Sequence, residues 1–335
     1  MPAHDLSDPR WFPTDYDAKG DVFRMSTITL DAIGSSAFLD KRLGVAPEAI
    51  VTVPARDLEQ VMPTVPAFLF HTAFCGSTLL ARALHAPPRA VSLKEPQALL
   101  SLAMARSRGT PDNLIDTRLR TALALLARPW ADGGRVLIKP TNQANNLMAP
   151  LLALSPNSRA LLLYSSLEEF LLSCFKKLPE AETRIRWMAQ HLIAGTRLAT
   201  ALGISPRQSF NLVESCVLTW FAQMELYADA LAADRHDRLR TLDLRAMLAQ
   251  PSACVRACSG WLRLDTGYDL EARVAAVFAR DSKSGDREYD ASQRELEKSR
   301  VQEAFGDIIQ RACAWARERV APVAAVPSDW KPLTF

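Results

Sequence analysis

Net charge, long apolar runs and metal-type cysteine spacing are all scarce in this 335-residue sequence. The 40 basic residues are almost matched by 37 acidic ones, for a formal charge of +3. That excludes the broad basic face a nucleic-acid partner needs, while leaving room for a local basic pocket that takes a small anion. Apolar runs such as Ala160–Leu163 are far too short to cross a bilayer, so no membrane partner is expected. The six cysteines, at positions 75, 174, 216, 254, 258 and 313, show no metal-ligand spacing, and no metal is expected. Cys254 and Cys258, four apart on an expected helix, read as a packing pair. The opening stretch Met1–Asp21 is acidic, contains prolines and has no apolar core, so it does not read as a signal peptide. The expectation is a cytoplasmic chain with reduced thiols.

Hydrophobic residues make up 48% of the chain, enough for a sizeable core. Residues 1–60 are mixed, with a strand expected at Val22–Leu30 and a short helix at Ser35–Leu43. The pattern then sharpens. Short apolar runs at Pro66–Thr72, Ala90–Leu93, Arg135–Lys139, Arg159–Tyr164 and Leu239–Leu244 read as buried strands. Between them lie helical segments at Thr78–His85, Gln97–Ala105, Pro111–Arg128, Leu167–Lys177 and Ser252–Leu262. Residues 179–235 are strongly helical and are expected to form a helical layer or cap, broken near Ser205–Arg207. Val274–Tyr289 reads as a charged loop, Gln293–Val320 as a long amphipathic helix, and 321–335 as an irregular tail. Strands alternating with helices predict an α/β fold, a mostly parallel sheet covered on both faces. The expected organisation is an N-terminal segment 1–60 packed on an α/β domain 61–320, followed by the tail.

The informative segment runs from Phe70 through Cys75, Gly76, Ser77, Thr78 and Leu79 to Arg82. A small-residue turn joins a buried strand to a helix. Backbone N–H groups there lack partners, Gly76 lets the backbone approach an anion, and Ser77 and Thr78 add hydroxyls: a phosphate cradle. The same residues also serve as an ordinary helix cap. It is not a Walker A loop, since Ser77 stands where that motif needs lysine, and nucleotide triphosphate hydrolysis is disfavoured.

Cys75-Gly-Ser-Thr-Leu-Leu-Ala-Arg resembles the Ser-Gly-Thr-Thr-Leu-x-x-Arg loop of sulfotransferases. In that family the loop grips the 5′-phosphosulfate of 3′-phosphoadenosine 5′-phosphosulfate (PAPS). Further similarities follow in order over about residues 66–315. Lys94-Glu95-Pro96 resembles the Lys-Glu-Pro of tyrosylprotein-type members, and Lys139-Pro140-Thr141 falls where the family has Lys-Thr-Pro or Lys-Asp-Pro. Leu162–Lys176 is similar to a strand-then-helix segment ending at Ser173, and Arg240–Leu264 to the family's late Asp-Leu segment. The resemblance implies a P-loop-type fold, PAPS as donor, and a hydroxyl or amine acceptor that the sequence does not name.

The sequence departs from the family at two charges. The loop cation that faces the sulfonate is replaced by Phe74, and the strand-end Arg that binds the 3′-phosphate by Ser165. Arg82, Lys94, Lys139, Lys176, Lys177, Lys283 and Arg287 are the candidates to restore that charge. Each is equally a candidate solvated cation. Ser173 with a nearby lysine would meet the 3′-phosphate. Glu95 or His71 would serve as base, although Glu95 also reads as a partner of Lys94 and His71 as a hydrogen-bonded core residue. Asn142, Asn145 and Asn146 form a polar cluster that either lines the acceptor side or caps a helix from Leu147. Trp187, Trp220, Phe221 and Tyr227 read as core. Cys75 reads as a small loop filler, with a lowered thiol pKa the alternative. Two other readings are a non-catalytic descendant that binds a nucleotide or phospho-ligand, and a phosphotransferase with Asp243 as its nearest metal-ligand candidate.

Overall fold

The structure is a computed structural model and describes residues 5–194, 196–205, 208–281 and 291–335. Two strands, β1 (Trp11–Asp17) and β2 (Val22–Thr27), open the chain, followed by α1 (Leu30–Ser35) and β3 (Val51–Pro54). They form an antiparallel three-stranded sheet in the order β1-β2-β3. Of the helix expected at Ser35–Leu43 a short 3-10 turn forms at Lys41–Leu43, while α1 lies earlier in the chain. Thr29 caps it by accepting the N–H of Ala32 at 3.1 Å, and Ser36 already turns extended. β1 escaped the sequence reading because Pro13 and a register shift between Pro13 and Asp15 interrupt its alternation.

The main body alternates strands and helices: β4 (Ala67–His71), α2 (Ser77–Ala83), β5 (Ala90–Lys94), α3 (Gln97–Ser107), α4 (Asp112–Leu126), β6 (Arg135–Lys139), α5 (Met148–Leu154), β7 (Ala160–Tyr164), α6 (Leu167–Phe175), α7 (Glu182–Ile193), α8 (Arg197–Ala201), α9 (Leu212–Ala233) and β8 (Leu239–Asp243). Helices α10 (Leu244–Ala249), α11 (Pro251–Leu262), α12 (Leu270–Phe278) and α13 (Ala291–Trp315) complete it. The five strands pair in the order β5-β6-β4-β7-β8, every pair parallel. The result is an α/β fold carrying one parallel and one antiparallel sheet.

Both faces of the parallel sheet are covered, which is why its strands read as continuous apolar runs. Side chains alternate between faces. Phe68, Phe70, Val91, Leu93, Val136, Ile138 and Leu162 pack toward β1–β3, α3, α4, α5 and α9. Ala67, Leu69, Leu137, Leu161 and Leu163 pack toward α2, α10, α11 and α12. Met224, Tyr227 and Leu231 of α9 belong to the first of these layers. Much of the 179–235 segment is therefore a covering layer of the sheet, with α7 packed on α9.

One further expectation is corrected. The first part of the expected loop Val274–Tyr289 belongs to α12 (Leu270–Phe278), because Leu270, Val274 and Phe278, four apart, bury one face. Lys283 and Arg287 lie outside the described residues. The tail is tied down near its end. Thr241 of β8 donates its N–H to Lys331 O at 3.1 Å and accepts the N–H of Leu333 at 2.9 Å, covering the sheet edge.

Candidate functional site

Strand order places a crevice at the carboxyl ends. After β4 the chain leaves for one face through α2, while after the neighbouring β6 it leaves for the other through α5. Such a reversal opens the sheet where ligands of α/β proteins collect. A cleft of about 470 Å3 lies there, lined by residues that follow β4, β5 and β6 and by α6, α7 and α10. Among the described residues six Lys or Arg side chains line it against three carboxylates.

The loop after β4 forms its floor. Ala73 (φ 68°), Phe74 (φ 52°) and Gly76 (φ 73°) all take left-handed backbone conformations. For Ala and Phe this costs about 1–2 kcal/mol each, strain of the kind that concentrates at ligand-binding turns. Ala73 donates its N–H to His71 Nδ1 at 3.2 Å. The N–H groups of Phe74, Gly76 and Thr78 make no hydrogen bond to any described residue. Ser77, Thr78 and Leu79 follow on the cleft wall. Gly76 has a packing reason beside its dihedral: a Cβ there would stand 2.8 Å from Met247 Cε and 3.0 Å from Leu244 Cδ1. Cys75 turns away from the cleft, with Sγ 3.6 Å from Leu163 O. Burial pushes its thiol up to about 11. That outweighs the lowering expected from a helix N-terminus, which a seven-residue α2 supplies only weakly.

Three strand ends converge on one carboxylate. Lys139, at the end of β6, places Nζ 2.5 Å from Glu95 Oε1. His71, at the end of β4, places Nε2 3.7 Å from the same oxygen. Because His71 Nδ1 accepts from Ala73, a neutral ring carries its proton on Nε2, facing Glu95. Glu95 itself has φ 59° and donates its N–H to Lys139 O at 2.7 Å. Lys94, one residue earlier, points elsewhere. Its buried Nζ donates to Ile33 O at 2.7 Å and Gly34 O at 3.3 Å, at the end of α1. Burial, then Arg82 and Lys139, bring that ammonium down to about 7. Arg82 also turns to α1, donating to Ser35 O at 3.3 Å. Neither Lys94 nor Arg82 lines the cleft.

The opposite wall is cationic. Lys177 Nζ and the Arg184 guanidinium stand 5.4 and 5.9 Å from the centre of the Phe74 ring, which packs on Phe170 at 5.7 Å. Ser173 and Lys176 line the cleft beside them, and Lys176 is paired with Glu297. Ser165 is fully buried and does not reach the cleft, and its carbonyl accepts the indole N–H of Trp220 at 2.9 Å. Of the three asparagines only Asn142 lines the cleft, with Nδ2 3.5 Å from Met188 Sδ. Asn145 donates to His71 O and Gln223 Oε1, and Asn146 to Ala103 O and Ser107 Oγ. Asp243 caps α10 through the N–H groups of Arg245 and Ala246.

Sequence reading missed Phe38, Asp40 and Arg42, as well as Arg184, Arg280 and Arg294. The first three come from the N-terminal segment, where Arg42 stacks on Phe38 at 3.8 Å and pairs with Asp40. Only the three-dimensional packing brings that segment to Glu95, and no spacing in the sequence signals it.

No protein-family model matches the chain, and no curated protein matches it. Solved structures that resemble it include a sulfotransferase domain from the curacin biosynthetic pathway, with a TM-score of 0.42 and 12% identity. That match covers 73% of this chain and 99% of the other. A sulfotransferase from Mycobacterium tuberculosis (TM-score 0.40, 12% identity) covers 75% and 78%, and one from Alicyclobacillus acidocaldarius (0.40, 14%) covers 77% and 98%.

Proposed function

We propose that the cleft binds PAPS and transfers its sulfonyl group to a hydroxyl or amine of an acceptor. One observation carries the reading. The Glu95 carboxylate, held by Lys139 and faced by His71, opens onto the same basic cleft as the loop 73–78. The loop N–H groups of Phe74, Gly76 and Thr78, with the hydroxyls of Ser77 and Thr78, suit the 5′-phosphosulfate. Lys177 and Arg184, standing over Phe74, supply from α6–α7 the charge that the loop lacks. Ser173 suits the 3′-phosphate.

In this reading Glu95 takes the proton of the acceptor hydroxyl as its oxygen attacks sulfur. A new S–O bond forms, the bond from sulfur to the 5′-phosphate oxygen breaks, and 3′-phosphoadenosine 5′-phosphate leaves with the electron pair. Lys139 orients the carboxylate, and Lys177 and Arg184 stabilise the charge growing on the leaving phosphate. The test is acceptor-dependent release of 3′-phosphoadenosine 5′-phosphate. Glu95→Gln lowers turnover by about 10²–10⁴-fold with donor affinity little changed.

A non-catalytic binder is the second reading, favoured by the wholly buried, uncharged Ser165 and by the pairing of Lys176 with Glu297. It gives affinity for the nucleotide and no acceptor-dependent release.

A further inference from the structure

The other end of the sheet carries a cluster of arginines that the cleft does not use. Arg135 opens β6, Arg159 precedes β7, Arg240 is the second residue of β8, and Arg263 ends α11. Five-residue strands separate this edge from the cleft by about 16 Å.

The guanidiniums of Arg135, Arg159 and Arg240 are held in place by protein contacts. The Trp261 indole is the fixture. Its N–H is donated to Ala160 O at 3.2 Å, and the guanidiniums of Arg159 and Arg240 stand 4.5 and 4.2 Å from its ring centre. Arg159 also donates to Trp261 O at 3.2 Å, and Arg135 to Val65 O at 3.3 Å. Carbonyls and an aromatic ring thus hold these arms. Among the described residues Arg135, Arg159 and Arg263 join no ion pair, whereas Arg240 is paired with Asp237 at 2.6 Å. That carboxylate is shared with Lys331 at 3.7 Å. Arg263 occupies a left-handed helix end (φ 55°), where glycine is the unstrained choice.

The neighbours feel one another. Burial and then Arg263 and Arg159 lower the guanidinium of Arg135; burial and then Arg263 and Arg240 lower that of Arg159, which Asp237 partly offsets. Strands lie about 4.8 Å apart, and β4 separates β6 from β7. The cations are therefore spread over a length of sheet edge that one small oxyanion cannot span.

We propose that this edge is a binding site for a multiply charged phosphate or sulfate ester, whose successive anionic groups bridge Arg135, Arg159 and Arg263 beside Trp261. Arginine suits such ligands through its fork of donors, and the Arg135 and Arg159 arms, already held by protein contacts, lose little freedom on binding.

The probe is tripolyphosphate, titrated into the full chain by calorimetry and thermal unfolding, with sodium chloride at matched ionic strength as reference. The cleft also offers cations, so the titration is run in parallel on a Lys177→Ala/Arg184→Ala variant. The expected result is a saturable component that survives in the cleft variant. It weakens several-fold in Arg263→Gln and at least tenfold in Arg159→Gln/Arg263→Gln. Arg263 is exposed and its side chain makes no hydrogen bond to a described residue, so its single variant reads binding without a folding defect. Absence of saturable binding, a component lost in the cleft variant, or one unchanged in the arginine variants overturns the proposal. Neither result depends on whether the cleft takes PAPS.

Discussion

Glu95 and Lys139 meet at the ends of adjacent strands, Nζ 2.5 Å from Oε1, with the ammonium wholly buried and the carboxylate at the cleft surface. Removing one partner leaves the other charged and unpaired, at a cost of about 3–5 kcal/mol. Lys139→Met is therefore expected to lower stability by that order in urea denaturation. Lys139→Met/Glu95→Gln recovers much of the loss, since both charges go together. Strictly additive losses would show that the two groups do not act as a pair.

Phe74 and Lys177 make a second testable couple. The ring takes the place where the resemblance expects a cation, and Lys177 stands 5.4 Å above it. Lys177→Ala is expected to weaken binding of 3′-phosphoadenosine 5′-phosphate about tenfold, a loss of about 1.4 kcal/mol. Phe74→Lys in that background restores it, because the charge returns from the loop side. In the wild-type background Phe74→Lys gains little, with Lys177 and Arg184 already close. Calorimetry distinguishes the three.

Lys94 predicts a pH dependence of stability. Its ammonium is near 7 in the folded chain against 10.5 ordinarily. Between those values the unfolded chain holds a proton that the folded chain has released, so stability rises with pH through that window. The slope approaches about 1.4 kcal/mol per pH unit. Below pH 7 the folded state carries the full cost of a buried charge. Lys94→Met is expected to flatten the rise between about pH 7 and 10, measured by denaturant midpoints. An unchanged slope would place the titration elsewhere.

Cys75 gives a chemical test of the loop. Its thiol is buried and pushed up to about 11, whereas Cys313 is partly exposed. At neutral pH iodoacetamide is expected to modify Cys313 first and Cys75 only as the chain unfolds. Rapid modification of Cys75 in the folded protein would contradict the inward orientation of that side chain.

The parallel sheet was largely legible in the sequence because its strands are buried on both faces. Ala67–His71 and Ala160–Tyr164 are almost wholly apolar and need no partner to be recognised. The strands of the N-terminal sheet were harder to read, since Pro13 and a bulge break the alternation of β1. The cleft was legible where chemistry stands at a strand end, as at His71 and Glu95. Lys94 does not line the cleft because its ammonium goes to the carbonyls at the end of α1, while Glu95 turns left-handed after β5 and faces the cleft. Arg42 and Arg184 were invisible because each reaches the cleft from an element remote in sequence, without a local pattern that marks it.

The measurement that bears most directly on the cleft is thermal unfolding during titration with 3′-phosphoadenosine 5′-phosphate, for the wild type and for Lys177→Ala/Arg184→Ala. Adenosine 5′-phosphate serves as the ligand lacking the 3′-phosphate. The expected result is a stabilisation of about 2.7 kcal/mol at a hundredfold excess over Kd. It exceeds that of the control nucleotide and falls sharply in the variant. No stabilisation, or an equal one in the variant, would contradict a nucleotide-binding cleft built on the loop 73–78 and the cations above Phe74.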